Sequence, residues 1–237
     1  MIPKIIHYIW LGGKEEPKLL QKCKESWKKY CPDYEIKRWD ESNLDMDKYK
    51  YAKDAIAAKK YAFAADVFRF EILKLYGGIY VDVDVEFLKP IDEFLDCDAF
   101  TGFETKESVA PGLLFGSEIN HPIMQEMLDY YEKNDFNNDL KNNITICKIF
   151  TKLLVKKGLV LNNKTQQLEN IKIYASEYFC PINIITNRKK ITKNTVSIHW
   201  YDASWFSPKQ KAKQRIKKVL NFCSFGLFGK IVQKIKK

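Results

Sequence analysis

The feature that most constrains the fold is an Ala-rich stretch from Tyr51 to Tyr76 that contains neither Gly nor Pro and ends at Gly77-Gly78. Its apolar residues recur with the 3.6-residue period of an α-helix, and a glycine is the usual residue at a helix end. Residues 79–85 are mostly β-branched or aromatic and therefore favour a strand. A long helix followed at once by a buried strand predicts an α/β protein.

The flanking segments extend this pattern. Residues 4–10 read as an opening strand, residues 17–30 as a helix and residues 34–39 as a second strand. Further strands are expected near residues 99–103, 112–116, 171–174 and 196–201, and further helices over 122–133 and 145–157. We therefore expect an α/β protein with one main domain of residues 1–207.

Charge sets the end of the chain apart. The chain has 40 basic and 30 acidic residues, and ten of the basic ones but no acidic one lie from Lys209 to Lys237. The body therefore contains 30 basic and 30 acidic residues and is neutral. A neutral body argues against nucleic acid as a partner. Residues 208–237 instead resemble a basic amphipathic helix on an anionic membrane surface, the alternative being a helix that packs on its own domain.

Cysteines and apolar runs indicate the compartment. The six cysteines are scattered singly, which favours reduced thiols. The first ten residues lack a basic leader and a cleavage site and read as a strand rather than a signal peptide. No apolar run approaches the roughly 18 to 20 residues that span a bilayer. We therefore expect a cytoplasmic protein on the inner face of the cell membrane.

Two carboxylates, Asp82 and Asp84, alternate with valines in the strand predicted after the long helix. On a strand they share a face about 7 Å apart, where they repel each other unless a cation binds. Their oxygens suit Mg²⁺ or Mn²⁺, which can also bind a nucleotide diphosphate. The alternatives are a solvated strand face and a haloacid-dehalogenase-type phosphatase, although Glu86 stands where that motif normally continues into Thr.

A second charged pair, Asp66 and Arg69, lies at i, i+3 and hence on one face of the long helix. Its sequence neighbours are apolar, which argues against a wholly exposed pair. The alternative is an ordinary surface ion pair.

Together, residues 2–10, the Asp-x-x-Arg of residues 66–69 and the Gly-Gly-x-Tyr-x-Asp-x-Asp of residues 77–84 resemble the DXD-containing glycosyltransferases of family 32. That family includes capsular-polysaccharide sugar transferases and fungal mannosyltransferases, and it resembles the glucosylating clostridial toxins more distantly. The resemblance covers about residues 1–205. It implies a GT-A fold, with a Rossmann-type mixed sheet flanked by helices. It also implies a nucleotide-sugar donor, Mn²⁺ or Mg²⁺ as cofactor and retention of anomeric configuration.

The resemblance also implies roles for single residues. Trp10 would stack on the nucleotide base, and Asp66 and Arg69 would contact the donor sugar. Asp82 would be the carboxylate on the ribose or sugar side and a further ligand of the metal. Asp84 would be the direct metal ligand.

A closing segment, residues 199–205, resembles the family's final His…Ser-Trp. His199 would add a metal ligand, while Ser204 and Trp205 would close over the diphosphate. His7 and His121 are expected to be structural. The chain departs from the family at Ala110-Pro111-Gly112, where relatives often carry Asn, so contacts to the acceptor stay undefined there.

The sequence thus predicts a retaining hexosyltransferase that uses a UDP-sugar or, second, a GDP-sugar. The expected acceptor is a saccharide or a lipid-linked oligosaccharide, in capsule or surface-polysaccharide synthesis. No nucleophile or base is evident, which fits a front-face transfer in which the leaving phosphate takes the acceptor's proton. The alternative of another class is a catalytically inactive scaffold that binds nucleotide sugar or membrane.

Overall fold

The structure is a computed structural model that describes residues 1–139, 143–183 and 188–202. The predicted tail and the predicted site residues Ser204 and Trp205 lie outside the described residues. The helices are α1 (Lys18–Tyr30), α2 (Lys50–Ala57), α3 (Tyr61–Tyr76), α4 (Pro122–Lys133), α5 (Ile146–Lys156) and α6 (Ser176–Phe179). The strands are β1 (Ile5–Ile9), β2 (Glu35–Trp39), β3 (Gly78–Tyr80), β4 (Val85–Phe87), β5 (Ala99–Thr105), β6 (Ser108–Val109), β7 (Phe115–Ser117), β8 (Gln166–Gln167), β9 (Lys172–Tyr174) and β10 (Ser197–His199).

The main sheet of the described residues is mixed, with strand order β2-β1-β3-β7-β5-β9-β8 and β6 paired to β5. Strand β1 is parallel to both β2 and β3, whereas β7 is antiparallel to its neighbours β3 and β5. A separate antiparallel pair joins β4 to β10. The predicted α/β class with a mixed sheet is confirmed.

The two faces of the sheet bury separate cores, because side chains alternate along each strand. Tyr80 and Phe103 face a core shared with α2, α3, α4 and α5. Ile79 and Phe100 face the opposite core, which includes Trp27 of α1. The sheet therefore lies between two layers of helices, and its strand ends are left to form a site.

The prediction of one continuous helix over residues 51–76 is wrong. The helix is broken at Ala58–Lys60, where Lys59 adopts a positive φ of 56° and the amide of Lys60 donates to Ala55 O at 2.8 Å. A left-handed residue ends α2 in the way that a glycine usually does. Apolar periodicity continues across the break, so the sequence pattern did not reveal it.

The prediction of one strand over residues 79–85 is also wrong. Strand β3 ends at Tyr80 and β4 begins at Val85, and the amide of Val85 donates to Asp82 O at 3.1 Å. Asp82 and Asp84 thus lie in a turn between two strands rather than on one strand face. The turn transfers the chain from the main sheet to the β4–β10 pair.

The histidines predicted to be structural have structural contacts. His121 is the N-cap of α4, and its Nδ1 accepts from the amide of Ile123 at 3.3 Å. His7 is fully buried, its Nε2 lies 3.0 Å from Gly77 O, and Trp39 Nε1 donates to its Nδ1 at 3.1 Å. Within the described ranges no helix is long and apolar enough to cross a membrane, and the five cysteines described there are free.

Candidate active site

Most of the predicted site residues that the structure describes meet at one edge of the main sheet. Strands β1 and β3 are parallel, with His7 opposite Tyr80, so both chains leave the sheet at the same edge. Trp10 follows β1 and Asp82 follows β3 at that edge. In open α/β sheets, ligands bind at the carboxyl ends of the strands.

Helix α3 contributes a buried ion pair. Arg69 Nη2 lies 2.8 Å from Asp66 Oδ1, and the Arg69 side chain is only 6% exposed. Arg69 Nε also donates to the carbonyl of Ala65 at 3.3 Å. The low exposure of Arg69 excludes the alternative of a surface ion pair. A pair this well shielded from water also interacts more strongly than an exposed one.

Asp82 joins this pair through the same guanidinium. Arg69 Nη1 lies 3.4 Å from Asp82 Oδ1, and the hydroxyl of Tyr80 donates to that oxygen at 3.2 Å. The guanidinium carbon of Arg69 also lies 4.7 Å from the centre of the Tyr80 ring. One arginine thus holds two carboxylates and an aromatic ring, which we call the Arg69 network.

The loop before β7 closes one side of the Arg69 network. The amide of Asp82 donates to Gly112 O at 2.9 Å. A Cβ at Gly112 would lie 2.0 Å from Asp82 Oδ2 and 2.9 Å from Arg69 Nη1. A side chain there would therefore displace the carboxylate, so the Ala-Pro-Gly departure from the family places backbone against Asp82.

The charges of the Arg69 network influence one another. Burial raises the pKa of Asp66 to about 7; the nearby Arg69 opposes that rise and the Asp82 charge adds to it. Burial likewise raises the pKa of the Tyr80 hydroxyl well above its ordinary value. Tyr80 is therefore a neutral hydrogen-bond donor.

Asp84 and His199 form the other half of the site. The register of β4 and β10 places His199 opposite Val85, next to Asp84. Asp84 Oδ1 and His199 Nε2 are 3.0 Å apart, both residues are buried, and Asp82 Oδ2 lies 4.0 Å from the same nitrogen. The β4–β10 pair thus brings together residues that are more than one hundred positions apart in sequence.

Backbone groups after β10 hold Asp84 in place. The amide of Asp202 donates to Asp84 Oδ2 at 2.8 Å, and the amide of Trp200 donates to Asp84 O at 3.0 Å. Burial opposes the charge of both side chains, but their attraction holds the pKa of Asp84 below its usual range and raises that of His199 to about 9. The pair is therefore ionic in the absence of another cation.

This half of the site has features of an incomplete ion shell. Asp84 Oδ1 and His199 Nδ1 are buried without a hydrogen-bond partner in the described part of the chain. Two ligands at adjacent octahedral positions, each about 2.1 Å from an ion, lie about 3 Å apart, which is the separation of Asp84 Oδ1 and His199 Nε2. No three His, Cys, Asp or Glu side chains in the described ranges are arranged as a complete metal group. Asp84 and His199 fit two positions, and the assignment of Asp82 as a third ligand stays a prediction.

Trp10 lies at the mouth of the same sheet edge. Its indole Nε1 donates to Lys14 O at 2.7 Å, and its amide donates to Trp39 O at 2.9 Å. The ring is partly exposed. A fixed and accessible indole is suited to stacking on a planar base.

Three neighbours of the site were not singled out from the sequence. Tyr80 had a signal, because it belongs to the Gly-Gly-x-Tyr-x-Asp motif. Gly112 was noted only as a departure from the family. Tyr201 has a positive φ of 53°, its ring lies 4.1 Å from that of His199, and its hydroxyl donates to Glu104 at 3.1 Å. No sequence pattern indicated that contact.

Comparisons with known proteins identify relatives of this chain. The family described as "Glycosyltransferase sugar-binding region containing DXD motif" matches residues 17–101. An uncharacterised glycosyltransferase of Acanthamoeba polyphaga mimivirus is 32% identical over 201 residues, which are 79% of this chain and 76% of that protein.

Two further proteins are similar. The inositol phosphoceramide mannosyltransferase 3 of Schizosaccharomyces pombe is 30% identical over 140 residues, which are 57% of this chain and 39% of that protein. The solved structure of the PaToxG glycosyltransferase superposes with a TM-score of 0.53 at 20% identity, covering 66% of this chain and 70% of that one.

The structural match supports the fold, and the viral relative covers most of both chains. The expected GT-A-like fold and the family resemblance are thereby confirmed. The chain belongs to the glycosyltransferases whose sugar-binding region contains the DXD motif.

Proposed function

We propose that this glycosyltransferase is metal-dependent and moves a hexose from a nucleotide sugar to a saccharide or lipid-linked acceptor with retention of configuration. The observation that carries the proposal is the buried Asp84–His199 pair beside the Arg69 network. The Asp84–His199 pair can hold an ion, and the Arg69 network can bind a sugar.

The Arg69 network supplies the donor-sugar contacts. Arg69 already binds one oxygen each of Asp66 and Asp82, which leaves their other oxygens to accept hydrogen bonds from sugar hydroxyls. Both carboxylates are fixed before the donor arrives, so little conformational freedom is lost on binding. Trp10 is proposed to stack on the base at the same sheet edge.

Asp84 and His199 would hold Mn²⁺ or Mg²⁺, with Asp82 as a further or water-mediated ligand. When bound, the ion supplies Lewis acidity that stabilises the leaving diphosphate. His199 must lose its proton to become a ligand. The backbone amide of Asp202 holds the Asp84 carboxylate, and that of Trp200 holds the main-chain carbonyl of Asp84, so the orientation of the carboxylate does not depend on the ion.

Retention is supported by how the carboxylates are used. Asp66 and Asp82 are bound to Arg69, and Asp84 is bound to an amide and to His199. These contacts suit binding roles better than nucleophilic attack on a sugar carbon. We propose that the acceptor hydroxyl attacks from the side of the leaving group and passes its proton to the departing phosphate.

The sugar and the acceptor are proposed from relatives. The family resemblance favours a UDP-sugar, whereas the name of the Schizosaccharomyces pombe relative points to a mannosyl donor and a ceramide-linked acceptor. The chain spans only 39% of that relative. We propose a cytoplasmic role in capsule or surface-polysaccharide synthesis, on an acceptor at the membrane that the basic tail of residues 208–237 contacts.

A donor panel tests the proposal. The full chain is incubated with UDP-glucose, UDP-galactose, UDP-N-acetylglucosamine and GDP-mannose, with Mn²⁺ or with EDTA, and released nucleotide is measured. We expect hydrolysis of one donor that requires the ion and is lost in Asp84→Asn. Binding of a nucleotide sugar without any turnover would favour the inactive scaffold, and nucleotide-insensitive cleavage of a simple phosphate ester would favour the phosphatase.

A further inference from the structure

One surface of the described chain combines exposed aliphatic side chains with unpaired lysines, far along the sequence from the basic tail. It runs along the outer side of α5 and through the loop that follows. We call it the α5 face. Its residues are Ile144, Lys148, Lys152, Val155, Lys156, Val160, Leu161 and Lys164, and all of them are exposed.

The α5 face cannot turn inward, because the opposite side of the helix is fixed in the core. Ile149, Phe150 and Leu154 are buried there. The hydroxyl of Thr151 accepts from the amide of Val109 at 2.9 Å, which ties the helix to β6. Lys148, Lys152 and Lys156 then follow one another at i, i+4 spacing along the outer side.

The charge of this region is one-sided. Residues 143–168 contain five lysines and no acidic residue. Lys157 is neutralised by Glu126 of α4 at 2.6 Å. In the described ranges none of the other four lysines forms an ion pair, and the remaining segments of the chain contain no Asp or Glu that could reach them. Four positive charges are therefore available to an anionic partner.

The apolar residues of the face are unusually exposed. Ile144, Val155, Val160 and Leu161 are 54%, 43%, 58% and 42% exposed. They are four of the nine large apolar side chains that are exposed in the described ranges. The last two lie in a loop that is held by Gln166, whose side chain bonds both the amide and the carbonyl of Val160. The loop thus presents them to solvent in a fixed position.

We propose that the α5 face binds the surface of an anionic lipid bilayer. The aliphatic residues enter the boundary between headgroups and acyl chains, while Lys148, Lys152 and Lys156 contact the anionic headgroups. A nucleic acid would be matched by the charge but not by four exposed aliphatic side chains. This face belongs to the described part of the chain and is far from the tail in sequence, and it orients the domain rather than merely tethering it.

The geometry relates this face to the proposed reaction. Burial raises the pKa of the thiol of Cys147, in the first turn of α5, and the nearby charges of Glu104 and Asp66 add to the rise. The helix therefore begins near the site, and the α5 face extends along its eleven residues for about 16 Å. Membrane binding itself does not depend on the proposed transferase activity.

Vesicle flotation of the full chain tests the proposal. The vesicles contain phosphatidylcholine with or without 30% phosphatidylserine. We expect phosphatidylserine-dependent binding that falls at least about tenfold in the triple variant Lys148→Glu, Lys152→Glu, Lys156→Glu. The matched control is Lys18→Glu, Lys28→Glu, Lys29→Glu on α1, which changes the net charge equally and should bind more tightly than the α5 variant. Equal loss in the two variants would show a mere net-charge effect and overturn the proposal.

Hydrogen exchange separates the α5 face from the tail. On phosphatidylserine vesicles we expect slower exchange in peptides covering residues 155–164, with no change in residues 18–30. The variant Val155→Ser, Val160→Ser, Leu161→Ser should lose this protection while keeping its helix content. Unchanged exchange at 155–164 in vesicle-bound protein would overturn the proposal, as would stronger binding to RNA than to vesicles. Donor hydrolysis, measured without vesicles, is scored separately.

Discussion

The two halves of the site differ in how their charges are satisfied. In the Arg69 network, one buried guanidinium contacts Asp66 and Asp82, and Tyr80 supplies a further hydrogen bond. In the other half, His199 Nδ1 lacks a hydrogen-bond partner in the described ranges, and Asp84 Oδ1 has only its ion-pair contact with His199 Nε2. A buried polar atom without a hydrogen bond is costly, so this half is better explained by a ligand than by stability.

His7 and His199 differ in the same way. Both nitrogens of His7 have partners, and burial lowers its pKa to about 4. His199 keeps one nitrogen unpaired and has a raised pKa of about 9, because nearby carboxylates outweigh its burial. Burial alone therefore does not distinguish a structural histidine from a functional one, whereas the number of satisfied nitrogens does.

The largest expected effect comes from breaking the unsatisfied half. Asp84→Asn removes the charged oxygen proposed to bind the ion, so we expect kcat/KM for donor hydrolysis to fall by about 10³-fold or more. The fold should persist, because the variant no longer buries the carboxylate charge of Asp84. Asp92→Asn, which alters an exposed carboxylate paired with Lys4, is the control and should keep full activity. Comparable turnover in both variants would contradict the metal assignment.

Breaking the satisfied half should instead reduce stability. Arg69→Met leaves Asp66 and Asp82 without their shared partner in a shielded site, which costs about 3 to 5 kcal/mol of unfolding free energy. Arg38→Met removes an exposed arginine paired with Glu16 and should cost about 1 kcal/mol or less. Urea unfolding measures both. Similar losses would mean that the Arg69 network is no more tightly coupled than a surface pair.

The structural histidine gives a pH test. The folded pKa of His7 is about 4 and its ordinary value is 6.5, so the unfolded chain binds more protons between these values. Stability should therefore fall as pH drops from 6.5 toward 4, by up to about 3 kcal/mol from this residue. His7→Gln should flatten that part of the profile. Identical slopes in the variant and the parent would show that His7 is not held neutral.

The smallest change tests the loop that closes one side of the Arg69 network. Gly112→Ala places a methyl group 2.0 Å from Asp82 Oδ2, so the carboxylate must shift. We expect an increase of about tenfold in the donor KM and a loss of about 1 to 3 kcal/mol in stability. Gly158→Ala provides the control, because its φ of 99° imposes strain where no atom lies within 4 Å of the new Cβ. A raised KM in both variants would mean that general destabilisation rather than contact with Asp82 is responsible.

Much of the fold could be predicted from the sequence, because its cues are local. Apolar periodicity predicted the bounds of α1 and α4 to within one residue, and His121-Pro122 marked the start of α4. The break at Lys59 was missed because a non-glycine residue adopts the left-handed conformation there. The turn between β3 and β4 was missed because apolar residues continue through it.

Prediction of the complete site required contacts between residues that are far apart in sequence. Asp66, Arg69, Asp82 and Asp84 were found because their motif lies within twenty residues, and their resemblance to a family suggested roles. The contact between Asp84 and His199 depends on pairing of β4 with β10, which no spacing predicts. The contact of Gly112 with Asp82 depends likewise on a loop that returns to the site.

The central claim is that Asp84 and His199 hold a divalent ion together with a nucleotide. Electron paramagnetic resonance of free Mn²⁺, titrated with the full chain and UDP or GDP, measures this directly. We expect one Mn²⁺ bound per chain, more tightly with nucleotide, and loss of that binding in Asp84→Asn but not in Asp92→Asn. Equal Mn²⁺ binding by the parent and the Asp84→Asn variant would contradict this claim.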